Sequence, residues 1–539
     1  MKKTACILAA GMGSRSYHFP VLHKALLPLG NKAVISHCID DLLEMGIEKF
    51  VVALQKGEEH QLKKFIEIMH KDVLIDFQIC DARNGSIIGP GKTLELCKEF
   101  LNGPFIALGC DTLGRFNLKL RGNWITTSEN LDWDYSDLKG EYAFFNSKYK
   151  KIERGLSTKD ILESLDNKIF TGVIGIENYK EFWEESSKWE KKDEEKPIYA
   201  GLRSQNFISN PMQKWIDTGS SESYRYARAL FKEVVEPKPA QEIYIYKNKV
   251  AKFFRESDIC KKIINRHKLL QPITPSISEI DQNLFSYSYI KGRLLSETRN
   301  VKFINTLLSY FEVQTNKATQ KGVDFEKFYS DCNTMWFEKL RHRVDKFDKE
   351  MKTLDKIKFI NGLEVGTVNE MIAAINHKKF LKNCIPCLFH GDPSPENVIF
   401  DLNQNLRLID PRPTFGESNI IGDLYYELAK VDHALIVNGQ LIRSNRYGFK
   451  VERSKEALIW IDEKKEFNIF RNKIYEFCKC KKWSTMQLSF ATCMTLLSIC
   501  NVHTNKNYNK FLLLAGKYML RRVSEDLKND QKDSQPIKI

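Results

Sequence analysis

The sequence predicts an α/β protein: a mostly parallel sheet with helices on both faces, followed by a separate α+β region. Residues 1–235 alternate short apolar runs with amphipathic segments, as βαβ units do. Glu236–Pro239, which contains two prolines, then interrupts this pattern. The length of 539 residues also exceeds what one hydrophobic core usually holds. We therefore expect at least two domains.

The apolar runs of the first region are predicted to be buried strands, with helical patterns at 34–43 and 94–100 between them. The runs are CILAAG (6–11), KFVVAL (49–54), DVLIDFQI (72–79), PFIALGC (104–110) and IFTGVIGI (169–176). The first run follows Lys2 and Lys3 but ends in a glycine-rich turn after about seven residues, which is short for an export signal. We therefore interpret it as a strand.

The second region begins with strands and continues with helices. We predict a linker at 236–241, a hairpin at 242–254 with its turn at Lys247-Asn248, and a strand at 286–292. Helical periodicity dominates from about 300 to 385, and CLFHGD (387–392) then begins a short β-loop-β unit before further helices. The predicted boundaries are 1–235, 242–525 and a disordered tail at 526–539 that has little to bury.

Composition and charge limit the partners. The net charge of +14 comes mostly from dispersed lysines without a dense basic block, so we expect nucleotides, phosphorylated small molecules or an anionic membrane surface rather than nucleic acid. The apolar stretch 488–502 is too short to span a bilayer, so we interpret it as a core helix and expect no membrane insertion. Thirteen cysteines without framework spacing suggest reduced thiols in a cytoplasm. The oligomeric state stays open, a homo-oligomer included.

A glycine-rich turn after the first strand is a candidate nucleotide site. Ala9, Ala10, Gly11 and Gly13 form the end of the strand and the turn, where the lack of side chains lets backbone N–H groups approach phosphates. Cationic Arg15 and Lys24 follow and would neutralise a triphosphate. A second glycine-rich segment at 85–93, with Gly89 and Gly91, suits backbone contacts to a base.

Two carboxylates complete this candidate site. Asp111 ends the run PFIALGC, and Asp217 lies in Lys214-Trp215-Ile216-Asp217-Thr218-Gly219. A carboxylate at the carboxyl end of a strand is well placed to bind Mg²⁺. Two other nucleotide motifs fit less well. A dinucleotide fingerprint would need glycine where Tyr17 stands, and a P-loop ending at Lys92-Thr93 would need glycine where Ser86 stands.

Together these residues resemble the nucleoside-diphosphate-sugar pyrophosphorylase and phosphocholine cytidylyltransferase superfamily over roughly residues 1–232. The resemblance implies a Rossmann-like fold and a triphosphate held by the turn with Arg15 and Lys24. It also implies Mg²⁺ bound by Asp111 and Asp217, and transfer of a nucleotide, most often CMP from CTP, to an acceptor phosphate. His23 stands where the family usually has proline. Guanylyl or uridylyl transfer stays an alternative.

The motif His390-Gly391-Asp392, followed by Asn397 and by an apolar strand to Asp410, is a second candidate site. Its spacing has the mechanics of a kinase catalytic loop, in which an aspartate orients the acceptor hydroxyl while an amide and a second carboxylate hold Mg²⁺. Asp392 is therefore the candidate catalytic residue, and Asn397 and Asp410 are the candidate metal ligands. Cys384 and Cys387 have CxxC spacing but lack a second such pair, so we interpret them as part of a strand.

This second motif resembles the aminoglycoside phosphotransferase and choline kinase family over about residues 240–520. The resemblance implies a bilobal protein-kinase-like domain that uses ATP. It places Lys252 on the nucleotide phosphates and Asp423 in a structural role, whereas the partner glutamate of Lys252 is not evident near Glu256 or Arg266.

The two resemblances together suggest a bifunctional enzyme. The second domain would phosphorylate a small metabolite, and the first would couple that phosphate to CMP for modification of a capsule or surface polysaccharide. Three alternatives stay open: a sugar kinase with a guanylyl- or uridylyltransferase, a choline or ethanolamine kinase with a cytidylyltransferase, and a nucleotide-binding scaffold with one inactive domain. Trp336, Trp460 and Trp483 are candidates for a cation–π box around choline or ethanolamine, although aromatic residues at helical positions more often pack in a core.

Overall fold

The computed structural model describes most of the chain as two compact units. The described residues are 4–11, 22–57, 59–81, 89–132, 142–153, 156, 158–187, 206–232, 241–437, 441–442, 444–452, 455–462, 465–528 and 533–539. The first unit comprises Met1–Ser257 with Ser278–Tyr289, and the second comprises Asp258–Ile277 with Ile290–Ile539. Each has its own hydrophobic core.

A nine-stranded mixed sheet forms the centre of the first unit. Its strands are β1 (Thr4–Ala9), β4 (Lys49–Gln55), β5 (Leu74–Cys80), β6 (Phe105–Gly109), β8 (Trp124–Ser128), β9 (Phe144–Asn146), β10 (Lys151–Glu153), β11 (Asn167–Ile176) and β12 (Ile208–Pro211). The order is β10-β9-β11-β6-β1-β4-β5, and β8 pairs with β11 and β12. β1, β4, β5 and β6 run parallel, whereas β11 is antiparallel to β6. The predicted parallel-rich α/β architecture is therefore confirmed.

Helices and two short strand pairs surround this sheet. The helices are Val34–Glu44, Glu59–Met69, Pro90–Leu96, Thr158–Glu163, Tyr179–Ser187 and Ser221–Leu230, with single 3₁₀ turns at Lys24–Leu26 and Lys98–Phe100. The pairs join β2 (Pro28–Leu29) to β3 (Lys32–Ala33) and β7 (Thr112–Arg115) to β13 (Gln213–Asp217). The predicted strands and the helix at 34–43 are confirmed. The helix predicted at 94–100 begins earlier and breaks after Leu96, where the 3₁₀ turn follows.

A four-stranded antiparallel sheet completes the first unit. It contains β14 (Gln241–Tyr246), β15 (Lys249–Phe254), β16 (Ser278–Asp281) and β17 (Leu284–Ser288), in the order β14-β15-β17-β16. The hairpin predicted at 242–254 is thus confirmed, with Lys247 in the left-handed region at φ 50°. Tyrosine hydroxyls anchor this sheet, because Tyr244 donates to Leu26 O (2.7 Å) and Tyr246 to Asp40 Oδ1 (2.6 Å).

These contacts place residues 241–254 with the first unit, although the predicted boundary of the second domain was residue 242. The predicted linker at 236–241 lies outside the described residues except for Gln241. Compactness does not show which segments fold independently, so the domain boundaries stay a prediction.

The second unit is mainly helical. Its helices are Ser257–Leu269, Val301–Gln320, Phe325–Asn333, Lys339–Asp345, Lys349–Asp355, Val368–Ala373, His377–Lys382, Leu424–Ile436, Lys465–Cys480, Thr485–Ile499 and Lys506–Lys528, with a 3₁₀ turn at Leu295–Glu297 and a π-helical turn at Thr334–Glu338. The helix predicted from the apolar stretch 488–502 is Thr485–Ile499, and it is buried. Within the described residues, no helix is both long and apolar enough to cross a membrane.

Three small sheets accompany these helices. One contains β18 (Gly292–Leu294), β22 (Val398–Asp401) and β23 (Leu406–Leu408); a pair joins β21 (Pro386–Leu388) to β24 (Ile421–Asp423); and the third contains β19 (Phe359–Ile360), β20 (Leu363–Glu364), β25 (Tyr447–Glu452) and β26 (Glu456–Ile461). The predicted β-loop-β unit is confirmed by β21 and β22. The hairpin β25–β26 contradicts the continuous helical pattern expected after residue 410.

The C-terminal segment also differs from its prediction. A disordered tail was predicted from residue 526. The last helix instead extends to Lys528, and residues 533–539 pack on the second unit. Ser534 is buried and its N–H donates to Thr485 Oγ1 (2.9 Å), while the carbonyl of Ile537 accepts from Arg471 Nη1 (2.9 Å). The buried side chains of Ser534 and Ile537 and these two hydrogen bonds hold the segment on the second unit, which the polar composition of the segment did not predict.

Candidate functional site

In the first unit, the glycine-rich turn begins at the carboxyl end of β1. Ala9 and Ala10 are buried, and a Cβ atom on Gly11 would lie 3.6 Å from Lys24 Nζ. The lysine ammonium therefore lies against the start of the turn, as predicted for a phosphate-binding cation. Gly13 and Arg15 lie outside the described residues, so their predicted roles stay predictions.

Lys24 forms an ion pair with Asp111. The Nζ–Oδ2 distance is 2.7 Å, and the two side chains are 17% and 23% exposed. β1 and β6 are parallel neighbours, so their carboxyl ends meet at one edge of the sheet, and Cys110 N donates to Leu8 O there (3.3 Å). The order of the strands thus brings together a lysine and an aspartate that are far apart in sequence.

Asp217 reaches the same place through a different strand pair. β13 pairs with β7 so that Asp217 lies opposite Thr112, and Thr218 donates from both N and Oγ1 to Asp111 O (2.9 and 3.1 Å). A Cβ atom on Gly219 would lie 3.2 Å from Asp217 Oδ1 and 3.5 Å from Asp111 Oδ2. Both predicted carboxylates therefore face the space beside Gly219, where an added Cβ atom would crowd Asp217.

The electrostatics of this pair suit a cation. Burial raises the pKa of Asp217 to about 6, and the negative charge of Asp111 adds to the shift. Gly219 N and Tyr142 Oη each donate to Asp217 at 3.1 Å and partly offset it. Two carboxylates held together in this way are hard oxygen donors whose mutual repulsion a divalent cation relieves. Mg²⁺ fits this donor set.

His23 is a positioning residue whose role the sequence did not reveal. Its Nδ1 accepts from Ala25 N (3.1 Å), so Nε2 carries the proton that it donates to Ala9 O (3.0 Å). Burial lowers the pKa of His23 to about 4, which keeps the ring neutral at physiological pH. The ring thereby ties the end of β1 to the 3₁₀ turn that starts at Lys24.

We expect the Asp217→Asn variant to be more stable than the wild type at pH 8 without divalent metal. A pKa above the ordinary carboxyl value means that ionisation weakens the folded state, so the stability that protonation supplies is lost as pH rises through about 6. The amide removes that cost and keeps the shape. Thermal melts in EDTA should show a higher Tm for Asp217→Asn at pH 8 and a smaller difference at pH 5.

Mg²⁺ should raise the Tm of the wild type at pH 8 and leave that of Asp217→Asn nearly unchanged. The exposed change Asp166→Asn is the matched control. Equal Mg²⁺ shifts in wild type and Asp217→Asn would contradict a role for this carboxylate in binding metal.

The segment with Gly89 and Gly91 is described only in part. Gly89 precedes the helix Pro90–Leu96 and its carbonyl accepts from Thr93 Oγ1 (3.1 Å), while Gly91 is buried in the first turn. Lys92 pairs with Glu95 on the exposed side of this helix (2.8 Å), which disfavours a P-loop interpretation. Residues 82–88 lie outside the described residues, so the predicted base contacts stay a prediction.

In the second unit, the loop between β21 and β22 gathers the motif residues. Asn397 Nδ2 donates to Asp392 O (2.9 Å), and Ile409 N donates to Asn397 O (3.0 Å), which joins the loop to the end of β23. Asp410 follows this strand in the left-handed region at φ 58°. The fold thus places Asp392, Asn397 and Asp410 around one loop. The amide oxygen of Asn397 and the carboxylate of Asp410 are oxygen ligands of the kind that Mg²⁺ prefers.

Glu427 holds the loop that carries the motif of residues 390–392, a role that the sequence pattern did not predict. Its carboxylate accepts from His390 N (3.1 Å) and Gly391 N (2.7 Å), and it is 1% exposed. Burial raises the pKa of Glu427 to about 7, and the two N–H groups counteract part of that shift. Gly391 has φ 89°, and a Cβ there would come 2.7 Å from Arg412 Cβ, so the turn requires glycine.

We expect Glu427→Gln to slow any reaction at Asp392 by about 10²-fold, because a slightly misplaced catalytic group costs that much. The amide has one acceptor oxygen for two backbone donors, and its NH₂ would face one of those donors. One lost buried hydrogen bond also lowers stability by about 1–3 kcal/mol. Steady-state rates and thermal melts measure both effects, with the exposed change Glu417→Gln as control. A rate equal to that of the control would contradict this role.

Asp423 has the structural role that the resemblance implied. It caps the helix Leu424–Ile436: its Oδ1 accepts from Ile385 N (3.0 Å) and Tyr425 N (3.2 Å), and its Oδ2 accepts from Trp336 Nε1 (2.9 Å). Asp423 forms with Cys332 and Cys384 a buried group whose ligand atoms lie within 4.8 Å of one another. Burial raises the pKa of Cys384 well above its ordinary value, so this thiol stays protonated and the group fits a packed core better than a metal site.

Lys252 lies on β15 of the first unit, opposite Ile243 and Phe285. It is 4% exposed, and its Nζ lies 5.7 Å from the ring centre of Tyr287. Arg266, in the second unit, donates to Phe389 O (3.3 Å) and stacks on the Phe389 ring. The helix Ser257–Leu269, in which a glutamate partner for Lys252 would be expected, therefore carries the buried cation Arg266. Whether Lys252 contacts nucleotide stays a prediction.

The three tryptophans considered for a cation–π box have different surroundings. Trp336 is buried and donates to Asp423, Trp483 packs against Phe477, and Trp460 is 52% exposed on β26. No ring contact joins them in the part of the chain that the structure describes.

Solved structures that are similar to this protein match only the N-terminal part of the chain. No family model matches. A candidate glucose-1-phosphate thymidylyltransferase from Bacillus anthracis is 21% identical (44% of this chain, 98% of that chain, TM-score 0.35). Inositol-1-phosphate CTP transferase from T. maritima is 15% identical (44% and 98%, TM-score 0.34). CTP:phosphocholine cytidylyltransferase from Streptococcus pneumoniae is 16% identical (43% and 99%, TM-score 0.33). Similarity at this level says nothing about the activity of this chain.

Proposed function

We propose that the chain is a bifunctional enzyme with two phosphate-transfer sites. The second unit phosphorylates a small metabolite with ATP, and the first unit transfers a nucleotide, CMP from CTP, to the resulting phosphate. The observation that carries the proposal is that Asp111 pairs with Lys24 and lies near Asp217 in the first unit, while Asp392 pairs with Lys430 in the second.

In the first unit, the proposed reaction is attack of an acceptor phosphate oxygen on the α-phosphorus of CTP. The new P–O bond replaces the bond to the β-phosphate, and pyrophosphate leaves. Lys24, released from Asp111, neutralises the negative charge that develops on the phosphate oxygens. His23 holds Lys24 at the end of β1. Mg²⁺ held by Asp111 and Asp217 would supply further charge neutralisation.

In the second unit, the proposed reaction breaks the O–H bond of an acceptor hydroxyl, or the N–H bond of an amide-type group, and forms a bond to the γ-phosphorus of ATP. Asp392 orients the acceptor and takes its proton, and ADP leaves. Glu427 keeps Asp392 in place through the backbone of residues 390–391. Asn397 and Asp410 would hold Mg²⁺, which would neutralise the phosphate oxygens.

The proposed product is a CDP-activated group for a capsule or surface polysaccharide, and this destination rests on the sequence resemblance. The test incubates the protein with ATP, CTP, Mg²⁺ and a panel of alcohols, amides, sugars and their phosphates. ADP and pyrophosphate formation are measured separately. We expect ADP from an unphosphorylated acceptor and pyrophosphate from its phosphate. Neither product above background with any acceptor would refute the proposal.

Uridylyl or guanylyl transfer is tested in the same reaction by replacing CTP with UTP or GTP. A scaffold with an inactive domain predicts that only one of the two products ever forms. No described contact favours either alternative.

A further inference from the structure

A small cleft in the second unit opens beside Asp392 and is lined by positive charge. Arg343, Arg412 and Lys430 line it together with the apolar side chains of Met335, Trp336 and Tyr426. The enclosed part of the cleft has room for little more than one water molecule, so a ligand would place one small group in it and not its whole skeleton. Lys430 Nζ lies 3.1 Å from Asp392 Oδ1, so the cleft adjoins the candidate catalytic carboxylate.

The cations reach this cleft from three separate segments. Arg343 lies on the helix Lys339–Asp345, Lys430 lies on the helix Leu424–Ile436, and Arg412 follows the loop that carries Asp392. Lys339 does not line the cleft, but it lies one helical turn before Arg343 and its charge interacts with those of the three lining cations. Arg412 N donates to His390 O (2.9 Å), which fixes the backbone of Arg412 against the loop. Arg343 Nη1 donates to Ser498 Oγ (2.8 Å), which holds the guanidinium at the wall of the cleft.

The carboxylates of Asp392 and Glu427 balance these cations only in part: Asp392 pairs with Lys430, and both attract Arg412 from a longer distance. Among the described residues, no carboxylate lines the cleft, and Lys339, Arg343 and Arg412 have no carboxylate within salt-bridge distance. Burial, together with repulsion from Arg412, Arg343 and Lys430, lowers the pKa of Lys339 to about 6, so an anion bound nearby would favour its charged form. Gathering like charges in a half-buried cleft is costly unless an anion compensates them when the site is filled.

We propose that the acceptor phosphorylated at Asp392 carries an anionic group, a phosphate or a carboxylate, bound by Arg343 and Arg412 and attracted by the charge of Lys339 beside them. This inference rests on the proposed kinase activity of the second unit and names the class of its acceptor. The anion would lie in the cleft, and the hydroxyl or amide of the same molecule would face Asp392. Cationic acceptors such as choline or ethanolamine are disfavoured, because the same cations would repel them.

The first arm of the test compares acceptors with and without an anionic group: glycerol with glycerol phosphate and glycerate, and ethanolamine with serine, which adds a carboxylate. ADP formation with ATP and Mg²⁺ is measured for the full-length protein. We expect kcat/KM to be at least about tenfold higher for the anionic member of each set, as one charge-assisted hydrogen bond supplies that factor. The comparison of glycerol phosphate with glycerate shows whether the cleft prefers a phosphate or a carboxylate as the anionic group.

The second arm changes the cations. Lys339→Gln and Arg412→Gln should each raise the KM for the anionic acceptor by about 10- to 100-fold while the KM for ATP stays within about twofold. Lys339→Arg should restore binding. Arg341→Gln, an exposed change on the same helix as Lys339, is the matched control and should leave both constants unchanged.

Three results would overturn the inference. Higher kcat/KM for neutral or cationic acceptors would refute it and leave the kinase activity intact. A raised KM for ATP with an unchanged KM for the acceptor would assign these cations to the triphosphate instead. No ADP from any acceptor would refute the kinase activity itself, and the inference with it.

Discussion

Asp392→Asn should lower the rate of ATP-dependent phosphorylation by about 10³-fold or more, since removal of a general base costs roughly 10²–10⁴. The amide keeps the size of the side chain but accepts no proton, and it loses the ion pair with Lys430. Nucleotidyl transfer to an acceptor that is already phosphorylated should continue at the wild-type rate. ADP and pyrophosphate assays on the same preparation measure both reactions.

The contradicting outcome for Asp392→Asn is loss of both reactions in a protein that still melts cooperatively. That result would mean that the two sites are not independent. A phosphorylation rate within about tenfold of the wild type would exclude Asp392 as the base.

Asp111→Asn should have the opposite effect. We expect nucleotidyl transfer to fall by about 10²–10³-fold, because loss of a metal-binding carboxylate removes several kcal/mol of charge stabilisation. The change also frees Lys24 from its ion pair, and it removes the charge that contributes to the raised pKa of Asp217. Phosphorylation by the second unit should be unaffected.

Raising the Mg²⁺ concentration should partly restore nucleotidyl transfer in Asp111→Asn, since Asp217 still offers a carboxylate. A variant that transfers CMP normally at limiting Mg²⁺ would show that Asp111 is not a ligand. Asp166→Asn is again the exposed control in the first unit.

Local patterns were enough to predict much of the first unit. The buried strands at 49–54, 104–110 and 169–176 are continuous apolar runs, and parallel pairing then dictates that Lys24 and Asp111 meet at one edge. The approach of Asp217 could be predicted only from the resemblance, because the pairing of β13 with β7 joins residues about a hundred positions apart.

The features that were missed depend on distant contacts. Glu427 lies in a helix whose other side chains are also buried, and nothing local shows that its carboxylate caps the backbone of residues 390–391. The strand β26 contains the apolar run 457–461, in which Ala457 and Ile459 are buried whereas Leu458 and Trp460 are exposed. An apolar run of this length is compatible with a helix as well as with a strand, so the pattern alone did not separate it from the helical region. Packing of residues 241–254 with the first unit depends on two tyrosine hydroxyls that the sequence pattern does not reveal.

The most direct test of two independent, consecutive sites is complementation between variants. Asp111→Asn and Asp392→Asn are assayed alone and mixed, with ATP, CTP, Mg²⁺ and an unphosphorylated acceptor, and the diphosphate product is followed by phosphorus NMR. We predict no diphosphate from either variant alone and formation of the product in the mixture, since the phosphorylated intermediate made by one variant serves the other. Diphosphate from Asp392→Asn alone, or none from the mixture when the wild type makes it, would contradict the account.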